Sequence, residues 1–169
     1  MLTASIVSAL AAHSKYDCPK SSAFIHASAQ VTAVAQASCG DVADEMRARI
    51  NGQWGHWHDP HNNGTYTLLH ATGNSSLKLQ RATGNGKYHD KLNFVLEPTT
   101  ASTCTVLACS ESQVTSVADF GTNYCNMRML YCSSGDGCKP VVHDIVSKET
   151  SVSTSSPAAT HDLGACLKV

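Results

Sequence analysis

Apolar and small side chains in the first third of the chain follow a pattern that favours helix. Residues 21–38 are rich in Ala and contain neither Gly nor Pro. Gly40 interrupts the pattern, and Val42, Met46 and Ile50 then recur every four residues. This spacing places one apolar face along a helix. The pattern predicts one kinked helix or two short helices.

After residue 52 the pattern changes to the alternation that is typical of strands. Residues 66–70 and 77–81 are short strand-like runs, each followed by an Ala-Thr-Gly-Asn turn sequence. Leu92, Phe94 and Leu96 alternate with polar residues, which predicts a strand with one buried face that ends at Pro98. Further strands are predicted at residues 104–110, 123–132 and 141–148, and an irregular segment at residues 151–160.

A helical first third followed by strands with short turns is typical of the α+β class. We therefore expect an N-terminal helix, straight or kinked, packed on an antiparallel meander sheet of about five to six strands. Val, Ile, Leu and Phe together make up only 32 of the 169 residues, slightly below the level of about 20% at which a core becomes thin. Eight cysteines could compensate by forming four disulfides.

Two of these disulfides are predicted from strand pairing. If residues 104–110 and 123–132 pair antiparallel, Cys104 lies near Cys132 and Cys109 lies near Cys125. The remaining two bonds would then join Cys18, Cys39, Cys138 and Cys166. A helix over residues 22–38 would hold Cys18 and Cys39 too far apart to bond to each other. Each of them is therefore expected to pair with the C-terminal part of the chain.

The start of the chain has features of a secretory signal. Residues 2–12 are apolar and uncharged and end in a small-x-small pattern, so residues 1–12 are predicted to be a signal peptide or, alternatively, an ordinary helix. Residues 13–169 would then form a single secreted domain. Two sequons predict glycosylation of Asn63 and Asn74. No stretch approaches the roughly 20 apolar residues of a membrane span. Together with the cysteines, these features predict an extracellular protein.

The charges exclude one broad class of function. The net charge is -1, 15% of the residues are charged, and no cluster of Lys and Arg occurs. A protein that neutralises nucleic-acid phosphates needs such a cluster. We therefore expect an extracellular ligand or protein as partner, and no nucleic acid.

The segment from Trp54 to His61 carries the densest set of chemically active side chains. On a strand, His56 and His58 would share one face, and His61 after an Asp-Pro turn could complete a three-histidine site for zinc or copper. Alternatively, the segment is a solvated loop. Trp54 and Trp57 could form a platform on which a sugar or another flat ligand stacks, or they could belong to the core.

Two polar patches elsewhere are weaker candidates. Asp119, Asn123, Asn126 and Arg128 surround Cys125, and residues 110–113 read Ser-Glu-Ser-Gln. Either patch could line a pocket, although the solvated end of a hairpin is the favoured interpretation. No common catalytic string such as Gly-x-Ser-x-Gly or His-Glu-x-x-His occurs in the sequence.

A signal-like start, a helix, an antiparallel meander and late cysteines resemble the arrangement of the cystatins. The resemblance implies inhibition of papain-like proteases through loops at the edge of the sheet. The run closest to the cystatin Gln-x-Val-x-Gly loop is residues 113–117, which reads Gln-Val-Thr-Ser-Val. It lacks the central Val and the closing Gly, and neither Trp lies late enough to supply the second inhibitory loop.

Three hypotheses about function follow. The first is a secreted, disulfide-rich binding module whose contact or metal site is the Trp54–His61 loop. The second is a small secreted hydrolase or lyase that uses a metal held by His56, His58 and His61. The third is a cystatin-like protease inhibitor.

Overall fold

The computed structural model describes residues 16–156, 159 and 161–168. The predicted signal peptide, residues 1–12, lies outside the described residues. The elements are, in chain order, β1 (Ser28–Ala35), α1 (Cys39–Asn51), β2 (Thr65–Thr72), β3 (Ser76–Ala82), β4 (His89–Thr100), β5 (Thr103–Ser112), α2 (Thr122–Arg128), a short 3-10 helix (Ser134–Asp136), β6 (Ser147–Thr154) and α3 (Leu163–Cys166).

The described strands form one six-stranded sheet in the order β2-β3-β4-β5-β1-β6, and all the neighbours in it are antiparallel. Strands β2 to β5 form the predicted meander. β1, which comes first in the chain, lies between β5 and β6. The prediction of an α+β fold with a disulfide-stapled antiparallel sheet is confirmed.

One face of this sheet is apolar along most of its length and polar at one end. Leu92, Phe94 and Leu96 of β4 are buried in the core together with the residues opposite them on β3 and β5. Towards the start of β4 the same face carries Arg81, which is opposite Asp90, and Ser112, which is also opposite Asp90. Because side chains alternate along a strand, these polar groups continue the row of core positions.

Helix α1 packs on the sheet through the face that the sequence predicts. The Ser38 hydroxyl accepts the backbone N–H of Asp41 at 3.1 Å, which caps the first turn. Val42, Met46 and Ile50 are buried in the same core cluster as the inward side chains of the strands. The second half of the predicted helical third is therefore confirmed.

The first half of that prediction is wrong, because much of residues 21–38 is strand β1. A run of Ala and Ser without Gly or Pro satisfies local helix preference. Ala29, Val31 and Ala33, however, alternate with Gln30 and Thr32, and strands on both sides supply a complete ladder of hydrogen bonds. Tertiary pairing thus overrides the local preference.

Three other predictions about secondary structure are also wrong. Residues 122–128 form helix α2 rather than a strand, and its residues from 123 to 128 are all buried. The predicted boundary between a strand at 141–148 and an irregular segment at 151–160 is misplaced, because the Ser- and Thr-rich residues 147–154 form edge strand β6 by pairing with β1. β4 continues past Pro98 to Thr100, with a shift of register between these two residues.

The disulfides differ from the predicted pairs. Bonds join Cys18 to Cys109, Cys39 to Cys104, Cys125 to Cys166 and Cys132 to Cys138. The nested pairs 104–132 and 109–125 are wrong because residues 122–128 are a helix and do not pair with β5. The prediction that Cys18 and Cys39 do not bond to each other is confirmed, but their partners lie on β5 and not near the C-terminus.

The two cysteines of β5 attach two other segments of the chain to opposite faces of the sheet. Cys104 and Cys109 are an odd number of residues apart, so their side chains point to opposite faces. Cys104 bonds to the first residue of α1. Cys109 bonds to Cys18 in the segment before β1, and this segment also reaches the sheet through an ion pair between Asp17 and Lys78 (3.0 Å).

Among the described residues, no helix is both long and apolar enough to cross a membrane.

Candidate functional site

A cleft of about 790 Å³ opens at the polar end of the sheet, where β3 and β5 end and β4 begins. Three regions form its walls: the turn after α1, the residues before β2 together with the β3–β4 hairpin, and the loop between β5 and α2. Its volume falls in the range of about 300–1,000 Å³ that is usual for small-molecule sites. We take this cleft as the candidate site.

Three exposed aromatic side chains line the cleft, one from each wall. Trp54 is 64% exposed, Tyr88 is 50% exposed and Phe120 is 75% exposed. Exposing a large aromatic ring forgoes the free energy that its burial in the core would contribute. Three such rings around one opening therefore indicate a surface that a ligand covers.

The backbone of the cleft walls is strained. In the described part of the chain, the residues other than Gly that have positive φ are Trp54 (64°), Asn62 (45°), Asn63 (50°) and Phe120 (48°), and all four line the cleft. Asn tolerates this conformation, but for Trp and Phe it is rare. Strain of this kind, worth about 1–3 kcal/mol per residue, persists where the surrounding structure enforces it, and it concentrates at binding sites.

The wall before β2 is fixed against the β3–β4 hairpin. The backbone N–H of Gly84 donates to the Asn62 carbonyl at 3.0 Å. A Cβ on residue 84 would lie 2.8 Å from that oxygen, so only glycine allows this approach. The Asn62 side chain in turn accepts from Arg81 at 3.0 Å. The cleft is therefore bounded by a rigid wall.

Two carboxylates, Asp90 and Asp119, line the bottom of the cleft and are 2% and 8% exposed. Asp119 is fully engaged within the protein. One oxygen accepts the backbone N–H of Gly121 (3.1 Å), and the other accepts the backbone (3.2 Å) and side-chain (3.0 Å) N–H groups of Asn123. Asp119 therefore fixes the start of α2.

Asp90 is engaged through only one of its oxygens. Its Oδ2 accepts from the side-chain amide of Asn126 at 2.7 Å. Its Oδ1 is buried and has no hydrogen-bond partner. A buried carboxylate oxygen without a partner is energetically costly. Asp90 is therefore the group in the cleft whose hydrogen bonding a ligand would complete.

A network of hydrogen bonds links the two carboxylates below the cleft. Asn123 accepts from the Ser110 hydroxyl at 2.7 Å and donates to the Ser112 hydroxyl at 3.1 Å. Asn126 lies one helical turn later and reaches Asp90. This network holds α2 against β5 and fixes the position of Asp90.

A buried ion pair lies beside this network. Arg81 Nε donates to Asp59 Oδ2 at 2.8 Å, and both side chains are inaccessible to solvent. The Tyr66 hydroxyl lies 3.0 Å from the same carboxylate oxygen and 2.9 Å from the Asn126 carbonyl. Burial, and to a lesser degree the charge of Asp59, raises the pKa of Tyr66 well above its ordinary value, so this hydroxyl keeps its proton. Burial alone would lower the pKa of Arg81, but the charge and the hydrogen bond of Asp59 oppose this effect.

The three histidines of the predicted metal site do not converge. His56 is exposed in a turn closed by a bridge between Gln53 and Trp57, His58 is exposed just after this turn, and His61 is partly buried. In the region that the structure describes, the group of three potential ligand atoms within 4.8 Å of one another is Cys18, Cys109 and Glu111, and its two cysteines are bonded to each other. His56, His58 and His61 therefore do not come together as a zinc or copper site, because they lie in a turn and in irregular backbone and not on a strand.

The rings of the two tryptophans lie in different parts of the structure. Trp54 lines the cleft, as the stacking hypothesis requires. Trp57 is 3% exposed, and its ring centroid lies 6.2 Å from that of Tyr66 in the core. Trp57 therefore does not share a platform with Trp54, because the tight turn between the two residues directs their rings to different places.

The two sequons lie in different surroundings. Asn63 is exposed and lines the cleft. Asn74 is exposed in the turn between β2 and β3, where its side chain accepts from Arg47 at 2.8 Å. Glycosylation at either position stays a prediction. A glycan on Asn63 would lie at the edge of the cleft.

Sequence reasoning missed Asp90, Tyr88 and Phe120 as components of a site. It did identify two polar patches as alternative pocket linings, and the structure joins them: Ser110 and Ser112 of one patch contact Asn123 of the other. The missing signal was register, which places Asp90 opposite Ser112. Arg128 does not take part, because it pairs with Asp136 on another side of α2.

Comparison of the chain with protein-family models, with curated proteins and with solved structures found no match.

Proposed function

We propose that this protein is a secreted, disulfide-stapled binding module that holds a saccharide in the cleft lined by Trp54, Tyr88 and Phe120. One observation carries the proposal: three exposed aromatic rings surround a rigid cleft that is also lined by side-chain amides, hydroxyls and two buried carboxylates. Sugar rings offer apolar faces that stack on aromatic rings, and hydroxyl groups that donate to and accept from such polar groups.

The state of the two carboxylates favours binding over cleavage. Hydrolysis of a glycosidic bond generally uses two carboxyl groups, one as acid and one as base or nucleophile. Asp119 accepts three N–H groups of the protein, which leaves it unsuited to either role. Asp90 alone has an oxygen that is not engaged. The metal-dependent hydrolase and the cystatin-like inhibitor are supported by no comparable set of contacts.

Secretion is supported by the four disulfides, which persist in oxidising compartments. The signal-like residues 1–12 and the two sequons point to the same compartment. Expression of the full chain in a eukaryotic secretory host should release it into the medium with residues 1–12 removed and glycan attached. Retention in the cells with an intact N-terminus would contradict secretion.

Binding is tested by titrating the oxidised protein with soluble cello-, chito-, manno- and xylo-oligosaccharides. Trp54 is exposed and Trp57 is buried, so a ligand-dependent change in tryptophan fluorescence reports on Trp54. Calorimetry gives the affinity. We expect at least one of these oligosaccharides to bind, and Trp54→Ala to weaken that binding about tenfold, the equivalent of about 1.4 kcal/mol.

The control is Leu69→Ala, because Leu69 is 52% exposed on edge strand β2 and does not line the cleft. This variant should bind like the unmodified protein. Absence of binding to all four classes of oligosaccharide, or equal binding by the Trp54→Ala variant, would contradict the proposed function.

A further inference from the structure

The bottom of the cleft and the ion pair behind it carry more negative than positive charge. Three carboxylates, those of Asp59, Asp90 and Asp119, lie there with one guanidinium, that of Arg81. Arg81 is paired with Asp59. The described residues that line the cleft include no Lys, Arg or His. The cleft is therefore complementary to a neutral or cationic ligand and opposes an anionic one.

The neighbouring His61 does not balance this charge. Burial and the charge of Arg81 lower the pKa of His61, although the charge of Asp59 offsets part of that effect. His61 is therefore neutral near neutral pH. Among the described residues, no cationic side chain forms an ion pair with Asp90, whose hydrogen bond comes from the neutral amide of Asn126.

We propose that the saccharide bound in this cleft carries a protonated amino group that donates a hydrogen bond to Asp90 Oδ1, so that the ligand class is the 2-amino sugars and their oligomers. This inference rests on the proposed function. Asp90 is 2% exposed and fixed by Asn126, and its Oδ1 has no partner in the protein. An ammonium group brings the charge and the N–H donors that this oxygen needs.

The contacts distinguish a primary ammonium from two other cations. A quaternary ammonium carries no N–H and would leave Asp90 Oδ1 without a donor. A metal ion needs several protein ligands, and in the described region no group of three ligand atoms within 4.8 Å includes Asp90. The aromatic rings of Trp54 and Tyr88 also line the cleft, and such rings attract ammonium groups through their faces.

The test compares three tetrasaccharides that share a β-1,4-linked glucose backbone and differ only at carbon 2. These are the glucosamine tetramer with free amines, the N-acetylglucosamine tetramer and cellotetraose, which carries hydroxyls. We expect the glucosamine tetramer to bind the unmodified oxidised protein about tenfold or more tighter than the other two, because a hydrogen bond to a charged partner discriminates to this degree.

Two variants test whether the preference for the glucosamine tetramer depends on Asp90. Asp90→Asn should lose the preference and bind the three tetramers with similar affinities, whereas Asp44→Asn, which changes an exposed carboxylate on α1, should keep it. Trp54→Ala should weaken binding of all three. If Asp90→Asn fails to fold, a glucosamine preference of the unmodified protein together with weaker binding by Trp54→Ala still places the amino sugar in the cleft, and equal affinities for the three tetramers still overturn the inference.

Each outcome bears on a different proposal. Equal affinities for the three tetramers, or tightest binding of the acetylated one, would overturn the amino-sugar inference and leave the saccharide-binding proposal standing. A preference for glucosamine that Asp90→Asn does not change would show that other groups of the protein surface attract the polycation, and it would also overturn the inference. No binding of any oligosaccharide would overturn the proposed function itself.

Discussion

Two buried polar networks in this protein contrast in how completely their hydrogen bonds are made. The first joins Glu45 and Arg49, one turn apart on α1, through an ion pair of 2.7 Å in which neither side chain is exposed. Both Glu45 oxygens also accept backbone N–H groups of residues 141–143, at 2.8–2.9 Å. Arg49 donates to the carbonyls of Met129 and Cys132, both at 2.7 Å. No atom of this pair is left without a partner.

The second network lies under and beside the cleft, and it is incomplete. In the described part of the chain, seven buried side-chain atoms have no hydrogen-bond partner, and six of them belong to His61, Arg81, His89, Asp90 and Asn126. The α1 network thus ties chain segments together and has no capacity for a ligand. The cleft network leaves donors and acceptors unused, which lowers stability but provides groups for binding.

The largest expected effect comes from breaking the complete network. Glu45→Ala would leave the Arg49 guanidinium buried without a carboxylate and three backbone N–H groups without an acceptor. Removing one partner of a buried ion pair typically costs about 3–5 kcal/mol. Urea unfolding of the oxidised protein measures the loss. Asp44→Ala, at an exposed position on the same helix, should cost less than about 0.5 kcal/mol. Equal effects of the two substitutions would show that the complete network is not a major source of stability.

A smaller loss of stability is expected when the pH is lowered. Burial alone would raise the pKa of Glu45, but the hydrogen bonds from residues 141–143 and Arg49 outweigh it and lower the pKa below the ordinary glutamate value. In the unfolded chain the pKa is therefore higher. The contribution of Glu45 to stability is complete above the unfolded pKa and is lost as the pH falls through the folded one.

The measurement is the free energy of unfolding between about pH 7 and about pH 2 for the unmodified protein and for Glu45→Gln. The unmodified protein should lose more stability on acidification than the variant, which carries no titratable group at this position. Parallel pH profiles would contradict the assignment.

The smallest expected effect tests the strain in the cleft walls. At a position with ordinary φ, Ala is more stable than Gly by about 0.5–1 kcal/mol. At Trp54 and Phe120, where φ is positive, the order should reverse. The free energy of unfolding of the Gly variant should exceed that of the Ala variant by about 1 kcal/mol. Thermal or urea unfolding of the paired variants measures the difference.

Tyr88 is the matched control, because it lines the same cleft but is not among the positive-φ residues. Its Ala variant should be more stable than its Gly variant. If the Ala variant were also the more stable one at Trp54 and Phe120, the cleft walls would not be strained.

The sequence predicted the parts of the fold in which local pattern and tertiary environment agree. The spacing of Val42, Met46 and Ile50 indicates a helix, and these residues pack on the sheet as α1. The alternation of Leu92, Phe94 and Leu96 likewise indicates β4. The prediction failed over residues 21–38 and 123–132, where the local preference was weak and the partners in the fold decided the conformation.

The candidate site was predictable only in part. Trp54 could be singled out because two Trp residues close together in the sequence suggest a platform for a flat ligand. Residues 110–113 and the residues around Cys125 could be recognised as polar patches. Nothing in the local sequence separates Trp54 from Trp57 or places Asp90 next to Asn126. Those relations depend on strand register and on α2 being a helix.

The sequence by itself determined the fold class, the meander and the need for disulfides, because periodicity and composition are properties of local segments and of the whole chain. Only the tertiary structure decided which cysteines bond, that β1 lies between β5 and β6, and that residues from three distant loops surround one cleft. The physical reason is that a pairing between distant segments depends on the free energy of the complete packing and not on either segment alone. The same reason explains why Asp90 sits at the bottom of a cleft with one carboxylate oxygen unpartnered.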